Sequence, residues 1–272
     1  MNLNPVYRLY GAVFARPALY KLNRFLYNLS LRGLGILNWE NENLQGEVAV
    51  LRRVLSHAPS GAVVFDVGAN VGKYSEKVLE AAPHVNLHAF EPSPTAFNAL
   101  QTRLEGKKLE CVQSAVGLTN GTAKLYDYAS GDGSGHATLQ DNVIERVHGG
   151  VSQAVEVPLL RLDTYIAAND IESIYWMKID VEGREMDVLD GLGSLIEDGF
   201  PIRFVQIEFN EMNVLSGTFM EAFCNKLKGY RVFRILPGGR LLEISEEIVT
   251  LREIFAFQNL LFCCEENAID LW

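Results

Sequence analysis

The stretch VFDVGANVGKYS, from Val64 to Ser75, decides the fold because it connects a strand pattern to a helix pattern through one short turn. The apolar run ends at Asp66, and Gly68 and Gly72 follow before the helical pattern begins. Turns of this kind often hold a nucleotide. The spacing of the two glycines matches neither the Walker loop nor the dinucleotide fingerprint. An anionic Asp66 would also repel a pyrophosphate, so the stretch favours a nucleoside ligand with a positively charged end.

A second acid supports a nucleoside ligand. Glu91 ends the next apolar strand, LHAFE. An acid at the end of the second strand accepts hydrogen bonds from the ribose hydroxyls of a bound nucleoside. The third strand is followed by Ser114 and Ala115, which are small enough to line an adenine site. With the positive end favoured by Asp66, these residues predict S-adenosylmethionine, which combines a nucleoside, a sulfonium centre and an amino-acid end.

Helix-like and strand-like segments alternate along most of the chain, beginning near residue 47. This alternation predicts a doubly wound α/β fold with a mostly parallel sheet of about seven strands. The last two strand-like segments, 231–236 and 256–264, have no convincing long helix between them and predict an antiparallel edge. Residues 118–160 break the alternation and predict a hairpin and loop inserted over the active site. Residues 1–46 predict a helical extension, and 47–272 the Rossmann-like domain.

The helical extension differs in charge from the rest of the chain. Residues 1–39 contain five Lys and Arg, no acid, and many Tyr, Phe and Leu side chains. Such a segment could lie on a membrane surface, or it could pack on its own domain or on the second subunit of a homodimer. We favour packing. The net charge of −10 for the whole chain argues against nucleic acid as a partner.

Composition also bears on the compartment. No apolar run approaches the roughly 20 residues that span a bilayer, and the N-terminus shows no clear signal-peptide core. The four cysteines have no metal-binding spacing, and the adjacent pair Cys263 and Cys264 would form an awkward disulfide. These features predict a protein of the reducing cytoplasm.

Several stretches together resemble the FkbM-like family of methyltransferases. They are LRGLGILNWEN…GE (31–47), FDVGANVGKYS (65–75), HAFEPSP (88–94), SAVG (114–117), LDTYI (162–166) and MKIDVEGREMDVLDG (177–191). The resemblance implies a Rossmann-like, class I, S-adenosylmethionine-dependent O-methyltransferase. It also implies an acceptor hydroxyl on a sugar or glycan, a glycolipid or a polyketide-type metabolite.

The cofactor-binding candidates lie in these motifs. They are Asp66, Gly68, Asn70, Gly72, Tyr74, Ser75, Glu91, Pro92, Ser93, Ser114, Ala115 and Asp180.

The acceptor-side candidates lie at the ends of the next two strands and in the insertion. Asp180 and Glu182 follow the fourth parallel strand, Glu208 and Asn210 follow the fifth, and His136 lies in the glycine-rich insertion. An aliphatic hydroxyl is a poor nucleophile that benefits from a base or a metal ion. We assign Asp180, Glu208 and His136 as candidate bases, and Glu182, Asn210 and His136 as candidate substrate contacts. Asp180 and Glu208 would permit Mg²⁺ but do not require it.

Two other functions remain open at this point. The first is methylation of a nitrogen or a carboxylate, which the absence of an N/D-P-P-[YF] tetrapeptide after the fourth strand disfavours for nitrogen. The second is a non-catalytic, membrane-associated module that depends on residues 1–39. The presence of both cofactor and acceptor candidates in one chain counts against this second function.

Overall fold

The computed structural model describes residues 4–40, 45–128, 138–139 and 152–264. The strands are β1 (Val63–Val67), β2 (Asn86–Phe90), β3 (Leu109–Val112), β4 (Ala115–Val116), β5 (Gly121–Tyr128), β6 (Ser152–Leu160), β7 (Ile174–Ile179), β8 (Ile202–Phe209), β9 (Tyr230–Leu236), β10 (Arg240–Glu243) and β11 (Gln258–Cys264). The α-helices are α1 (Asn4–Phe14), α2 (Tyr20–Gly33), α3 (Glu47–Leu55), α4 (Lys73–Ala81), α5 (Pro94–Arg103), α6 (Leu162–Ala168), α7 (Glu185–Asp190), α8 (Met212–Ser216), α9 (Met220–Lys226) and α10 (Val249–Arg252).

Eight of the described strands form the main sheet, in the order β3-β2-β1-β7-β8-β11-β9-β10. The run from β3 to β8 is parallel. The chain places β2 and β3 on one side of β1 and β7 on the other, so the direction of strand order reverses beside β1. Doubly wound sheets bind their ligands at such a reversal, outside the carboxyl ends of the strands. The predicted Rossmann-like α/β fold is confirmed.

The predicted antiparallel edge is present at the end of the sheet formed by the last three strands. β11 lies between β8 and β9 and is antiparallel to both. The outermost strand is β10, which the sequence analysis does not predict, and it pairs antiparallel with β9. The sequence of β11, QNLLFCC, is buried over six of its seven residues. Such continuous burial is typical of an interior strand with both faces covered.

A second sheet of three strands, in the order β4-β6-β5, stands beside the main one. β5 and β6 form an antiparallel hairpin from the pair Gly121 and Leu159 to the pair Tyr128 and Ser152. Thr138 makes an isolated bridge to Tyr126 of this hairpin. The hairpin falls within the predicted insertion 118–160.

Helices cover both faces of the main sheet. On one face Trp176 and Phe204 belong to a buried cluster with side chains of α3, α4 and α5. On the other, Met177 and Val205 belong to a cluster with side chains of α6, α7 and α9. Because successive residues of a strand point to opposite faces, β7 is buried over its whole length.

The two N-terminal helices stay outside this core. α1 buries no residue, and α2 buries only Leu31. The chain joins the domain just after α2, where Ile36 is fully buried and the backbone N–H of Leu37 donates to the Phe257 carbonyl at 2.8 Å. The segment that packs on the domain is therefore short. None of the helices in the described part of the chain combines the length and apolar character that crossing a membrane requires.

Candidate active site

The turn after β1 is pressed against the end of β7. The backbone N–H of Asp180 donates to the Val67 carbonyl at 3.0 Å, which continues the β1–β7 pairing past the last residue of β7. Gly68 has φ of +88°, and a Cβ built on it would lie 1.8 Å from the Asp180 carbonyl oxygen. Both the left-handed backbone and the close contact require glycine here.

Glu91 fixes this turn to the end of β2. Its Oε2 accepts a hydrogen bond from the backbone N–H of Asn70 at 2.8 Å, and its Oε1 accepts one from Ser93 at 2.7 Å. The residue is only 6% exposed, and burial raises its pKa to about 7. A carboxylate can accept about four hydrogen bonds, so two backbone donors leave Glu91 with capacity for a ligand's hydroxyl groups.

A cleft opens between the hairpin and the carboxyl ends of β1, β2 and β7, and we call it the hairpin-side cleft. It encloses about 690 Å³ when its open mouth is included, which is within the usual range for small-molecule sites. Its polar wall contains Asn70, Glu91, Ser114, Asp180, Glu182 and Arg184. Its apolar wall contains Phe90, Pro92, Ala115, Val116, Leu125 and Leu139.

A second cleft lies between α3, α4 and the same strand ends, and we call it the helix-side cleft. It meets the hairpin-side cleft at Gly68, Asn70 and Asp180, which line both. The other residues in its wall include Gln45, Glu47, Lys73, Tyr74, Lys77 and Lys178. The turn after β1 therefore separates an acidic, partly apolar cleft from one that contains three lysines.

Some cofactor candidates lie behind these walls rather than in them. Asp66 is fully buried, its Oδ2 accepts a hydrogen bond from Ser75 at 2.6 Å, and its Oδ1 has no partner among the described residues. Burial raises the pKa of Asp66. Asp66 and Ser75 are thus hydrogen-bonded to each other beneath the turn after β1 and line neither cleft. The sequence analysis predicts both as direct contacts of the ligand.

Two further candidates also act on the backbone. Gly72 has φ of +80°, and a Cβ there would lie 2.6 Å from a methyl carbon of Leu100. Ser93 is buried and accepts a hydrogen bond from Ala96, which caps α5. Both residues shape the strand-to-helix turns without reaching either cleft.

Asp180 forms an ion pair with a buried lysine. Lys178 Nζ donates to Asp180 Oδ2 at 2.8 Å and lies 4.6 Å from the centre of the Tyr74 ring. Burial by itself would lower the pKa of Lys178, but Asp180, Glu47 and Asp66 raise it well above its ordinary value. Lys178 is therefore a permanent cation that compensates three carboxyl groups.

Glu208 interacts electrostatically with the same charged residues, Asp180 and Lys178. Asn210 donates to its Oε1 at 2.8 Å. Burial raises the pKa of Glu208 well above its ordinary range, and the negative charges of Asp180 and Glu182 raise it further. A carboxyl group with such a pKa keeps a proton at a pH where an exposed one has lost it, which suits a group that exchanges protons with a ligand.

The loop after β7 is held from two sides. Glu185, which is buried, accepts hydrogen bonds from the backbone of Gly183 at 2.9 Å and from the Asn213 amide at 3.1 Å. Thr138 Oγ1 donates to the Glu182 carbonyl at 2.9 Å, so the insertion contacts this loop directly. Glu182 itself adopts a left-handed φ of +53°. The rim of the cleft is thus fixed by side chains distant in sequence.

His136 lies outside the described residues. Within the described ranges, no three His, Cys, Asp or Glu side chains come together as a metal site would require. Asp180 is paired with Lys178. The predicted option of Mg²⁺ at Asp180 and Glu208 therefore has no support from the arrangement of these side chains.

The sequence analysis misses Lys178 and Glu47. Lys178 is a charged residue within the apolar run IYWMKI, and a lysine in a strand buried on both faces is a signal that could have been used. Glu47 Oε2 accepts a hydrogen bond from Gln206 at 2.9 Å, and Gln206 Oε1 accepts one from the Tyr74 hydroxyl at 2.8 Å. No local pattern indicates this connection, because it joins α3, α4 and β8.

Comparison with known proteins places this site in a family. The model of the methyltransferase FkbM domain matches residues 66–232. The chain is 25% identical over 173 residues to the hexuronic acid methyltransferase AglP of Haloferax volcanii, covering 63% of this chain and 66% of AglP. It therefore spans just under two thirds of the length of AglP.

Two further relatives are named as methyltransferases. The 31-O-demethyl-FK506 methyltransferase FkbM of Streptomyces tacrolimicus is 30% identical over 181 residues, covering 56% of this chain and 69% of that protein. The 2-O-methyltransferase NoeI of Sinorhizobium fredii is 23% identical over 187 residues, covering 65% and 75%. The family match covers more than half of the chain and includes Glu91, Asp180 and Glu208, so this chain belongs to the family of methyltransferase FkbM domains.

Proposed function

We propose that the protein is an S-adenosylmethionine-dependent O-methyltransferase whose acceptor is a hydroxyl of a sugar or glycan, a glycolipid or a polyketide-type metabolite. Membership of the FkbM family supports methyl transfer. The names of AglP, FkbM and NoeI support oxygen acceptors on sugar or polyketide-type molecules. A cytoplasmic location is part of the proposal, since all four cysteines are free thiols.

The observation that carries the proposal is the burial and hydrogen bonding of the Glu91 carboxyl group. It is a nearly buried carboxyl in the wall of the hairpin-side cleft, and backbone donors hold both of its oxygens in place. A ribose diol would supply the hydroxyl donors that this position still lacks. The adjoining small and apolar side chains of Ser114, Ala115 and Leu125 fit a flat purine ring. The residues present therefore fit the nucleoside end of the methyl donor.

The amino-acid end of the donor fits the junction of the two clefts. Gly68 and Asn70 line both clefts, so a ligand in the hairpin-side cleft can pass over the turn after β1. Beyond this turn, Lys178 and Lys73 would attract a carboxylate, and Glu47 and Asp180 would attract an ammonium group.

The acceptor hydroxyl needs orientation and a place for its proton. When bound, S-adenosylmethionine supplies a methyl group on a sulfonium centre that an oxygen nucleophile can displace in line. Asp180, held by its hydrogen bond from Lys178, orients the hydroxyl by accepting its hydrogen bond. Glu208, whose pKa is raised by burial, is the group we assign to take the proton. His136 remains a candidate for the same role.

Binding of S-adenosylhomocysteine tests the donor site. Calorimetry should show affinity in the micromolar range, roughly −8 kcal/mol. Glu91→Gln should weaken it about 10- to 100-fold, because hydrogen bonds to a charged acceptor contribute roughly 1.5–3 kcal/mol. Glu105→Gln, an exposed acid on the loop after α5, serves as the matched control. Equal affinity in the two variants would contradict the ribose assignment.

The acceptor class needs a separate measurement. We would incubate the protein with donor labelled in its methyl group and with glycans, lipid-linked sugars or hydroxylated polyketides. A labelled product that survives alkali is an ether and supports O-methylation of a hydroxyl. A product that loses its label in alkali is an ester and would favour a carboxylate acceptor instead.

A further inference from the structure

Each N-terminal helix carries an exposed apolar stripe. In α1 the stripe consists of Val6, Leu9, Tyr10 and Val13, and in α2 it consists of Leu22, Phe25, Leu26 and Leu29. Both sets have the spacing i, i+3, i+4, i+7, which places their members on one face of a helix. These eight side chains are between 39% and 67% exposed. Amphipathic helices normally turn such a face towards a partner.

The two helices hold each other but leave the stripes uncovered. The Tyr10 hydroxyl donates to Asn23 Oδ1 at 2.7 Å, and Asn23 Nδ2 donates to the Phe14 carbonyl at 2.9 Å. The only buried residue of the two helices is Leu31, at the end of α2. Among the described residues, these hydrogen bonds join the pair, and its attachment to the domain lies at its carboxyl end.

Charge separates this pair from the rest of the molecule. Residues 1–39 carry five cations and no acid, and since the whole chain has a net charge of −10, the remainder carries −15. Around the α2 axis, Lys21 and Arg32 lie next to the apolar stripe. Arg24 stands 5.9 Å from the Tyr20 ring, and Arg32 pairs with Glu40 at 2.5 Å.

We propose that α1 and α2 form a docking surface for an anionic lipid membrane, which they bind peripherally. Helices of this kind lie in the membrane interface with their apolar face inserted, while Lys and Arg contact anionic headgroups and tyrosines occupy the headgroup level. The acidic body is repelled by the same surface, so the pair alone makes contact. Attachment next to Ile36 holds the clefts close to the membrane.

A second copy of the chain fits this surface less well. Most homodimers are related by a two-fold axis, which brings the same patch of both subunits together. Such a contact would bring together two pairs of helices that each carry five cations and no acid. An anionic membrane offers an apolar interior for the stripes and negative headgroups for the five cations.

Vesicle co-sedimentation tests the proposal with the full-length protein. We expect binding to vesicles that contain phosphatidylglycerol, at least tenfold weaker binding to phosphatidylcholine alone, and weakening by added salt. Phe25→Glu with Leu29→Glu should reduce binding at least tenfold, and so should Lys21→Glu with Arg24→Glu. The matched controls, Ile248→Glu with Val249→Glu and Lys107→Glu with Lys108→Glu, alter exposed residues of the body and should bind like the original protein.

Other outcomes would overturn the proposal. These are no binding of the original protein to anionic vesicles, or equal losses in the control variants. Light scattering supplies the remaining test. A dimer that becomes a monomer in the Phe25→Glu, Leu29→Glu variant, without lipid, would identify a second copy as the partner instead. The proposal is independent of the proposed function, so binding of S-adenosylhomocysteine should be the same in every variant.

Discussion

The two clefts that meet at Gly68 and Asp180 are assembled over very different distances along the chain. Much of the hairpin-side cleft comes from three short stretches, the ends of β1, β2 and β3. The helix-side cleft depends on Glu47 of α3 and Tyr74 of α4, both hydrogen-bonded to Gln206 of β8. The first cleft is thus shaped mainly by local turns and the second by contacts between distant elements.

Their electrostatics differ as well. In the hairpin-side cleft, Glu91 has no cation beside it among its principal interactions, and its pKa is raised to about 7. In the helix-side cleft, Lys178 compensates Asp180, Glu47 and Asp66. The hairpin-side cleft therefore contains a carboxyl group, Glu91, whose pKa lies near neutral pH. In the helix-side cleft, the charge of Lys178 compensates the neighbouring carboxyl groups.

The strongest test of the junction between the clefts is Gly68→Ala. The new Cβ would meet the Asp180 carbonyl at 1.8 Å, in a backbone conformation with φ of +88°. We expect the free energy of unfolding to fall by roughly 4 kcal/mol or more, because two packed backbones must separate. Chemical denaturation measures the change.

Gly106→Ala is the matched control for this substitution. Gly106 also has a left-handed φ, of +74°, but nothing lies within 4 Å of a Cβ built there. Gly106→Ala should lower the free energy of unfolding by roughly 1–2 kcal/mol, which is the cost of a left-handed backbone for a residue with a Cβ. If Gly68→Ala were no more destabilising than Gly106→Ala, the two clefts would not share a rigid junction.

Lys178→Met tests the charge balance of the helix-side cleft. Removing a buried cation leaves Asp180 and Asp66 without compensation, and we expect a loss of about 3 kcal/mol in unfolding free energy. Lys77→Met removes a half-buried lysine that pairs with Glu80 near the surface, and it should cost at most about 0.5 kcal/mol. A similar small loss for both variants in urea denaturation would show that Lys178 carries no special charge role.

The difference between the clefts also explains what the sequence could predict. Gly68 and Glu91 each lie at the end of an apolar run, so strand–turn–helix patterns identify them without knowledge of the sheet order. The parallel sheet follows from the same alternation. These are local properties, and their positions in the wall of one cleft follow from the pairing of β1 with β2.

The sequence does not predict positions that are determined by tertiary contacts. Asp66 ends a strand like Glu91, but the side-chain alternation of β1 buries it beneath the turn beside Ser75. Glu47 begins a helix that only the folded chain brings beside β8. The insertion of β11 between β8 and β9 likewise depends on long-range pairing. Sequence pattern locates strand ends, but packing decides which face of each end a ligand can reach.

Glu208→Gln tests whether the carboxyl group at the end of β8, which interacts electrostatically with Asp180, performs acid–base chemistry. Burial, together with Asp180 and Glu182, raises the pKa of Glu208, so the basic form appears only as the pH rises through that elevated value. For methyl transfer we expect kcat to rise with pH in the original protein. In the variant kcat should be about 100-fold lower, roughly 2.7 kcal/mol, and without that rise. Glu211→Gln, on the exposed loop after β8, should keep the original profile. An unchanged pH profile in Glu208→Gln would assign the proton to another group.

The smallest expected effect concerns Glu91 and the pH dependence of donor binding. Burial, with smaller contributions from Asp66 and Asp127, raises its pKa in the folded protein from 4.5 to about 7. The protonated form therefore stabilises the fold below about pH 4.5, and this contribution is lost as the pH rises through about 7. A ribose diol binds the ionised form, so affinity for S-adenosylhomocysteine should rise about tenfold between about pH 6 and pH 8. Calorimetry across this interval should give a flat line for Glu91→Gln and the full rise for Glu105→Gln. A flat line for the original protein would mean that the hairpin-side cleft, like the helix-side cleft, already has its charge balanced before a ligand arrives.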